Sequence, residues 1–128
     1  MQQTIQSISS WGGRILVALP ALVFGVFHFG GADKMAGMVP VTGGVFWVYF
    51  TGIALIAGAI GIFVKKFSTL AAFLLGVLFL VFALTIHLPG LGAADAGMQQ
   101  MSMMNLLKDL GMAGGAWALA AFLATQGE

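Results

Sequence analysis

The sequence predicts an all-α integral membrane protein, a four-helix transmembrane bundle with antiparallel helices and both termini in the cytoplasm. Of the 128 residues, 60% are hydrophobic and 7% are charged, and the mean hydropathy is +1.04. Soluble domains, in contrast, carry about a quarter charged residues. Because about 20 apolar residues cross the hydrocarbon core of a bilayer, this length holds four spans with short loops in a single domain, residues 1–128.

Four apolar runs give the predicted spans, at about residues 14–30, 45–64, 67–88 and 105–124. We interpret the first run as a retained span and not as a cleaved signal segment. The residues before it include Ile5, Ile8 and Trp11 at a three-residue spacing. This spacing indicates either a short helix lying at the membrane interface or a frayed end.

The connection between spans three and four is predicted to be an irregular, methionine-rich loop over residues 91–104. A proline–glycine pair stops the helix before this loop. Asn105 can cap the helix that follows it. Lys108 and Asp109 then lie in the first turn of span four.

The basic residues indicate the orientation of the bundle. Arg14, Lys65 and Lys66 fall on the same side as both termini, whereas Lys34 and Lys108 fall on the other side. Because cytoplasmic loops carry the excess of Lys and Arg, the termini are predicted to be cytoplasmic. The other two loops then open to the periplasmic or outer face.

Composition excludes several functional classes. The net charge is +1 and the five Lys and Arg residues are spread along the chain, so no basic surface for nucleic acid is predicted. The chain contains no cysteine. Disulfides, thiolate catalysis, cysteine-bound iron–sulfur clusters and cysteine-bound zinc are therefore excluded.

The candidate site comes from the few polar residues in the spans, because ionisable groups there are costly and usually face the bundle interior or a wet cavity. Small residues let neighbouring helices approach closely, and each histidine shares a helix face with such residues: Ala21 and Gly25 for His28, and Ala72, Gly76 and Ala83 for His87. We predict a ligand pocket near the outer ends of the helices, formed by His28, Lys34, His87, Asn105, Lys108 and Asp109. The alternative for the Lys108 and Asp109 pair is a place at headgroup level, with the lysine extending outward and the aspartate helping to cap the helix.

The order and spacing of these residues resemble the DoxX family of small bacterial membrane proteins over nearly the whole chain. The resemblance implies four transmembrane helices in a bacterial inner membrane. It also implies a link to quinone-dependent oxidation or to membrane oxidoreductase complexes. The matching segments are Gly25-Val26-Phe27-His28-Phe29, Asp33-Lys34, Thr51-Gly52, His87-Leu88-Pro89-Gly90, Asn105-Leu106-Leu107-Lys108-Asp109 and Ala113-Gly114-Gly115.

Several ligands are compatible with such a pocket. A quinone headgroup needs a donor or proton carrier at each carbonyl inside an apolar cleft, which a histidine beside a lysine or carboxylate can supply. A lipid headgroup, or a hydrogen-bond cluster with no ligand, fits as well. Haem ligation by both histidines is disfavoured because they are shallow and adjoin packed small residues, and zinc lacks further ligands.

The methionines at 98, 101, 103 and 104 raise the question of copper, because thioethers suit Cu(I). We favour the interpretation that they fill irregular contacts. They also suit a surface that binds a partner.

Two functions from different classes follow. In the first, the protein is a membrane subunit or anchor that binds a quinone or lipid-like molecule for a membrane or periplasmic oxidoreductase partner. In the second, it is a non-enzymatic assembly, scaffold or lipid-handling protein. Gly111 and Gly115 form a GxxxG pair that suits helix packing within one chain or in a homo-oligomer. No motif assigns a catalytic residue.

Overall fold

The computed structural model describes residues 1–127, which contain helices and no strand, with 83% of the chain helical. Four helices are long and apolar enough to cross a membrane, which confirms the predicted all-α membrane fold. The helices are α1 (Gln2–Gly30), the short α2 (Ala32–Ala36), α3 (Gly44–Gly61), α4 (Ser68–Phe82), which continues through a π-helical turn (Ala83–His87) into α5 (Leu88–Gly90), and α6 (Ala96–Thr125).

Helix α1 is longer than the predicted first span. It begins at Gln2, so the segment predicted as a separate interfacial helix or a frayed end forms its first turns. Its 29 residues extend about 43 Å at 1.5 Å per residue, against a hydrocarbon core of about 30 Å. The first turns therefore extend beyond the core, and the side chains of Ile5 and Ile8 are exposed.

Helix α6 is also longer than predicted, and the prediction of a loop up to residue 104 with Asn105 as helix cap was wrong. The helix begins at Ala96, and Asp95 is its N-cap, with an extended backbone and a side chain that accepts the Met98 N–H at 2.8 Å. The methionines and glutamines that follow are good helix formers, and the carboxylate satisfies a free N–H of the first turn. Lys108 therefore lies in the fourth turn of α6 and not in the first.

Small side chains hold the bundle together. Helix α1 packs chiefly on α3, and α4 packs chiefly on α6. The core consists of alanines between a few large residues, of which Leu55, Leu75 and Phe79 are fully buried. Large apolar residues such as Leu16 lie on the outside, because lipid is as good a solvent for them as the core.

Glycines mark the closest helix contacts. A Cβ added at Gly25 would lie 3.0 Å from the Gly52 carbonyl oxygen, and one at Gly76 would lie 2.4 Å from the Trp117 ring. Gly25 thus lies at a close helix contact, as the small-residue face that it shares with Ala21 and His28 predicted. Around Gly111 and Gly115, in contrast, no described atom comes within 4 Å of an added Cβ. Within residues 1–127 the predicted GxxxG pair therefore makes no close helix contact.

Arg14 links two helices at the end of the bundle near the α3–α4 connection. Its side chain is buried and its guanidinium donates a hydrogen bond to the Ile62 carbonyl at 2.6 Å. Ile62 directly follows α3. A cation at a helix C-terminus interacts favourably with the free carbonyls there, so this contact fixes α1 against the end of α3.

Candidate functional site

A cavity of about 410 Å³ lies between α1, α3, α4 and α6. Its walls are mostly aromatic and aliphatic. One wall is formed by residues of α2 and of the segment that follows it. The polar groups in the lining are His28, Thr51, Thr85, His87, Lys108 and Asp109, and the apolar ones are Phe24, Phe27, Met35, Met38, Val39, Pro40, Val41, Trp47, Val48, Phe79, Val81, Phe82 and Ile86. Ligand sites in proteins usually have this composition, a largely apolar surface with a few placed polar groups.

Asp109 lies at the centre of the polar residues in the lining, and its side chain is 3% exposed. Its Oδ2 lies 3.2 Å from His87 Nε2 and its Oδ1 lies 3.3 Å from Lys108 Nζ. We call these three residues the carboxylate cluster. A buried carboxylate is stable only with such partners, and a donor on each oxygen holds the carboxylate in one position.

His87 is brought to Asp109 by a π-helical turn. The Leu88 N–H donates to the Ala83 carbonyl, five residues back, in place of the residue four back. Pro89 causes this change, because it has no N–H and its ring crowds the carbonyl four residues before it. The turn holds one extra residue, which displaces the side chains at its end by roughly 100° around the helix. Turns of this kind are frequent at functional sites.

Lys108 contacts α1 and two residues of its own helix, α6. Its Nζ lies 3.4 Å from the Asn105 side-chain oxygen and 4.3 Å from the centre of the Phe24 ring on α1, in addition to its contact with Asp109. An ammonium over an aromatic face gains from the charge distribution of the ring. Its side chain is 37% exposed, so the lysine can exchange these contacts for a ligand.

His28, on α1, also lines the cavity. Its Nδ1 lies 2.7 Å from the Phe24 carbonyl oxygen and its ring stacks on Phe82, with centroids 6.1 Å apart. Because a carbonyl can only accept, Nδ1 carries the proton. In the neutral ring Nε2 is then an acceptor. In its neutral form His28 thus adds an acceptor to the cavity that the carboxylate cluster also lines.

Of the six residues predicted to form the pocket, four line the same cavity: His28, His87, Lys108 and Asp109. Asn105 is outside the described lining of the cavity, and its side-chain oxygen lies 3.4 Å from Lys108 Nζ. Lys34 lies on α2, exposed, and is outside the described lining of the cavity.

Sequence reasoning missed two threonines of the cavity. Thr85 donates to the Val81 carbonyl at 2.7 Å, and Thr51 donates to the Trp47 carbonyl at 2.8 Å. Each hydroxyl is therefore turned back to its own helix, and its methyl group is available to the cavity. A lone threonine in an apolar span is the signal that could have found them.

Neither a metal centre nor a known relative helps to define the site. Within residues 1–127, no group of three or more His, Asp or Glu side chains could hold a metal ion. The methionines 98, 101, 103 and 104 are exposed on the first turns of α6. The chain matches no protein-family model, no curated protein and no solved structure. The resemblance to the DoxX family therefore stays a prediction.

Proposed function

We propose that the protein is a DoxX-like subunit or anchor of the bacterial inner membrane that binds the headgroup of a quinone or similar amphiphile for an oxidoreductase partner. The carboxylate cluster carries this proposal. It places a buried carboxylate, with His87 Nε2 3.2 Å from one oxygen and Lys108 Nζ 3.3 Å from the other, in the wall of a mostly apolar cavity inside a membrane bundle. Ionisable groups at such depth are usually retained for ligands or protons.

The proposed arrangement in the membrane is an antiparallel bundle with both termini in the cytoplasm. Arg14 of α1 contacts Ile62 at the end of α3, whereas Gly25, further along α1, lies against Gly52, nearer the start of α3. The two contacts together support opposite directions for these helices. Basic residues at that end agree with the excess of Lys and Arg on the cytoplasmic side. The cavity then lies toward the periplasmic face, where a membrane or periplasmic partner can reach it.

The chemistry of the lining fits a quinone ring. A quinone accepts hydrogen bonds at two carbonyls, and it takes up protons when it is reduced. Lys108 Nζ can donate to one carbonyl, and His87, which contacts the carboxylate through Nε2, can hold or release a proton at Nδ1. His28 Nε2 can accept from the hydroxyl of the reduced ring, and Phe24 and Phe82 supply flat apolar walls.

The test is to identify and titrate what the protein binds. The protein is purified in mild detergent from bacterial membranes, and its absorption spectrum and extracted small molecules are recorded. A soluble quinone analogue is then titrated, with Trp47 in the cavity wall as fluorescence reporter. We expect enriched quinone in the wild type and at least about tenfold weaker binding in His87→Ala and Asp109→Asn, since one charge-assisted hydrogen bond contributes about 1.5–3 kcal/mol.

The matched control is Asp33→Asn, which removes an exposed carboxylate on α2 outside the described cavity lining. It should bind as the wild type does. Circular dichroism and gel filtration establish that each variant is folded. Unchanged binding in folded Asp109→Asn, or an extract that contains only bulk phospholipid in membrane proportions, would refute the proposal. A Soret band would point to haem.

A second candidate function is assembly without a redox ligand, and one observation favours it. Gly111, Gly114 and Gly115 on α6 have no described atom within 4 Å of an added Cβ, and such faces allow close helix association. Homo-oligomerisation through α6 would use them. Gly115→Leu should then shift the protein to a smaller species in gel filtration, whereas an unchanged species would exclude this face as an interface.

A further inference from the structure

A second cavity, of about 510 Å³, lies on the face of the bundle between α3 and α4. Every side chain in its lining is apolar, and on α3 the lining consists of alanine and glycine: Ala54, Ala57, Gly58 and Gly61. Leucines, valines and Phe67 form the α4 side. We call this cavity the α3–α4 groove.

The α3–α4 groove adjoins the cavity that the carboxylate cluster lines, which we call the carboxylate cavity. Val81 lines both. Thr85, in the carboxylate cavity, is one turn further along the same face of the α4 helix, and Val77, in the groove, is one turn back. Helix α3 shows the same succession, with Thr51 in the cavity and Ala54 in the groove. The two spaces therefore lie one after the other along α3 and α4, with Val81 at their boundary and the polar groups in only one of them.

Small residues on α3 make the groove deep. An added Cβ at Gly58 would lie 2.6 Å from a Leu75 methyl group, and one at Gly61 would lie 2.8 Å from the Ala71 Cβ. The two helices thus touch at the floor, and no α3 side chain larger than alanine lines the space above it. From Phe67 to Val81 the groove follows α4 for about 21 Å.

We propose that the α3–α4 groove holds the tail of the molecule whose headgroup binds at the carboxylate cluster. The ligand is then an amphiphile with a compact hydrogen-bonding ring and one long apolar chain. The axes of packed helices lie about 8–10 Å apart. Above the line where α3 and α4 touch, the small side chains of α3 leave a groove about as wide as one apolar chain. This inference rests on the proposed function and adds the class of tail to it.

The tail gains little from the hydrophobic effect, because it comes from lipid or detergent that is equally apolar. Its gain is the additional pairs of atoms in close contact with the helix faces, beyond those that a fluid micelle provides. Ten or so such pairs give roughly a tenfold tighter complex. The test must therefore separate packing in the groove from simple partitioning of the tail into the micelle.

The experiment compares one ring with and without a tail on two forms of the protein. The probes are a soluble benzoquinone and the same ring with a decyl chain, titrated into the purified full-length chain in mild detergent. Ala57→Leu fills the groove at an exposed position, so the fold is retained. Ala118→Leu, at an exposed position of α6 outside both described linings, is the matched control. Partitioning into the micelle is the same for all forms and cancels.

We expect Ala57→Leu to bind the decyl compound roughly tenfold more weakly than the wild type and Ala118→Leu do, with the tailless ring bound equally by all three. A photoreactive group at the end of the decyl chain should label Leu74 and Leu78 in the groove. Equal affinity of the decyl compound for all three forms, or labelling spread over lipid-facing residues of α1 such as Leu16 and Leu19, would overturn the inference. If the tailless ring still binds and depends on Asp109, the proposed function stands; if neither probe binds, the proposed function fails first.

Discussion

Two glycine-to-alanine substitutions should have opposite effects on stability, because one glycine lies at a helix contact and the other does not. At Gly25 an added Cβ would lie 2.6 Å from Ile56 Cγ1, 3.0 Å from the Gly52 oxygen and 3.2 Å from the Ile56 nitrogen. Carbon contacts normally lie at about 3.5–4.0 Å. Two of the three neighbours are backbone atoms that no side-chain rotation can move, so α1 must shift away from α3.

Such overpacking costs about 1–3 kcal/mol. Alanine returns about 0.5–1 kcal/mol through its better helix propensity. Gly25→Ala should therefore destabilise the protein by about 1–2 kcal/mol. Gly114→Ala is the matched control, since no described atom lies within 4 Å of its added Cβ. Gly114→Ala changes only the helix propensity and should stabilise the protein by up to about 1 kcal/mol.

The assay is reversible unfolding, in which the purified protein in mild detergent is titrated with a denaturing detergent and followed by circular dichroism. The free energy of unfolding is compared for the wild type and the two variants. If Gly25→Ala is as stable as Gly114→Ala, the close α1–α3 contact is not as described, and the packing argument fails.

Four further outcomes are expected. Pro89→Ala should remove the cause of the π turn and separate His87 from Asp109, which weakens binding of the quinone probe although the fold is retained. Asp95→Ala should cost about 1 kcal/mol and speed hydrogen exchange at the Met98 amide. Asp109→Ala should cost about 2 kcal/mol, below the usual loss for a broken buried pair because its partners are partly exposed. Replacing the whole carboxylate cluster by leucine should leave stability within about 1 kcal/mol of wild type and abolish probe binding.

The number and type of the main elements could be predicted because they depend on local properties. Length and hydropathy alone decide whether a segment can cross a bilayer, and small-residue faces at helical spacing indicated that Ala21 and Gly25 are buried, as the structure shows. The start of α6 could not be placed in the same way. Both Asp95 and Asn105 are good caps, and the uncharged stretch between them is compatible with either a loop or a helix.

The site was predicted in part. Burial cost is a property of a single residue, so the four ionisable groups that line the cavity could be selected one by one. Their mutual geometry depends on the crossing of separate helices and on the π turn before Pro89. A regular helix places His87 on the face of Ala83, and the structure directs it to Asp109 on α6. Thr51 on α3 and Val81 on α4 line the cavity only because of the way their helices cross α1 and α6.

The carboxylate cluster does not hold the bundle together. The hydrophobic core is formed chiefly by alanines and leucines with Phe79, and Asp109 is a buried carboxylate that adds no apolar surface to it. An apolar wall at the same place would satisfy the packing of α4 on α6, and apolar replacements of buried ion pairs are often as stable as the pair or more so. The cluster is therefore not needed for the stability of the fold. In the proposed function, its carboxylate and lysine and the two histidines of the cavity bind the headgroup of the ligand, and the adjoining apolar groove receives the tail.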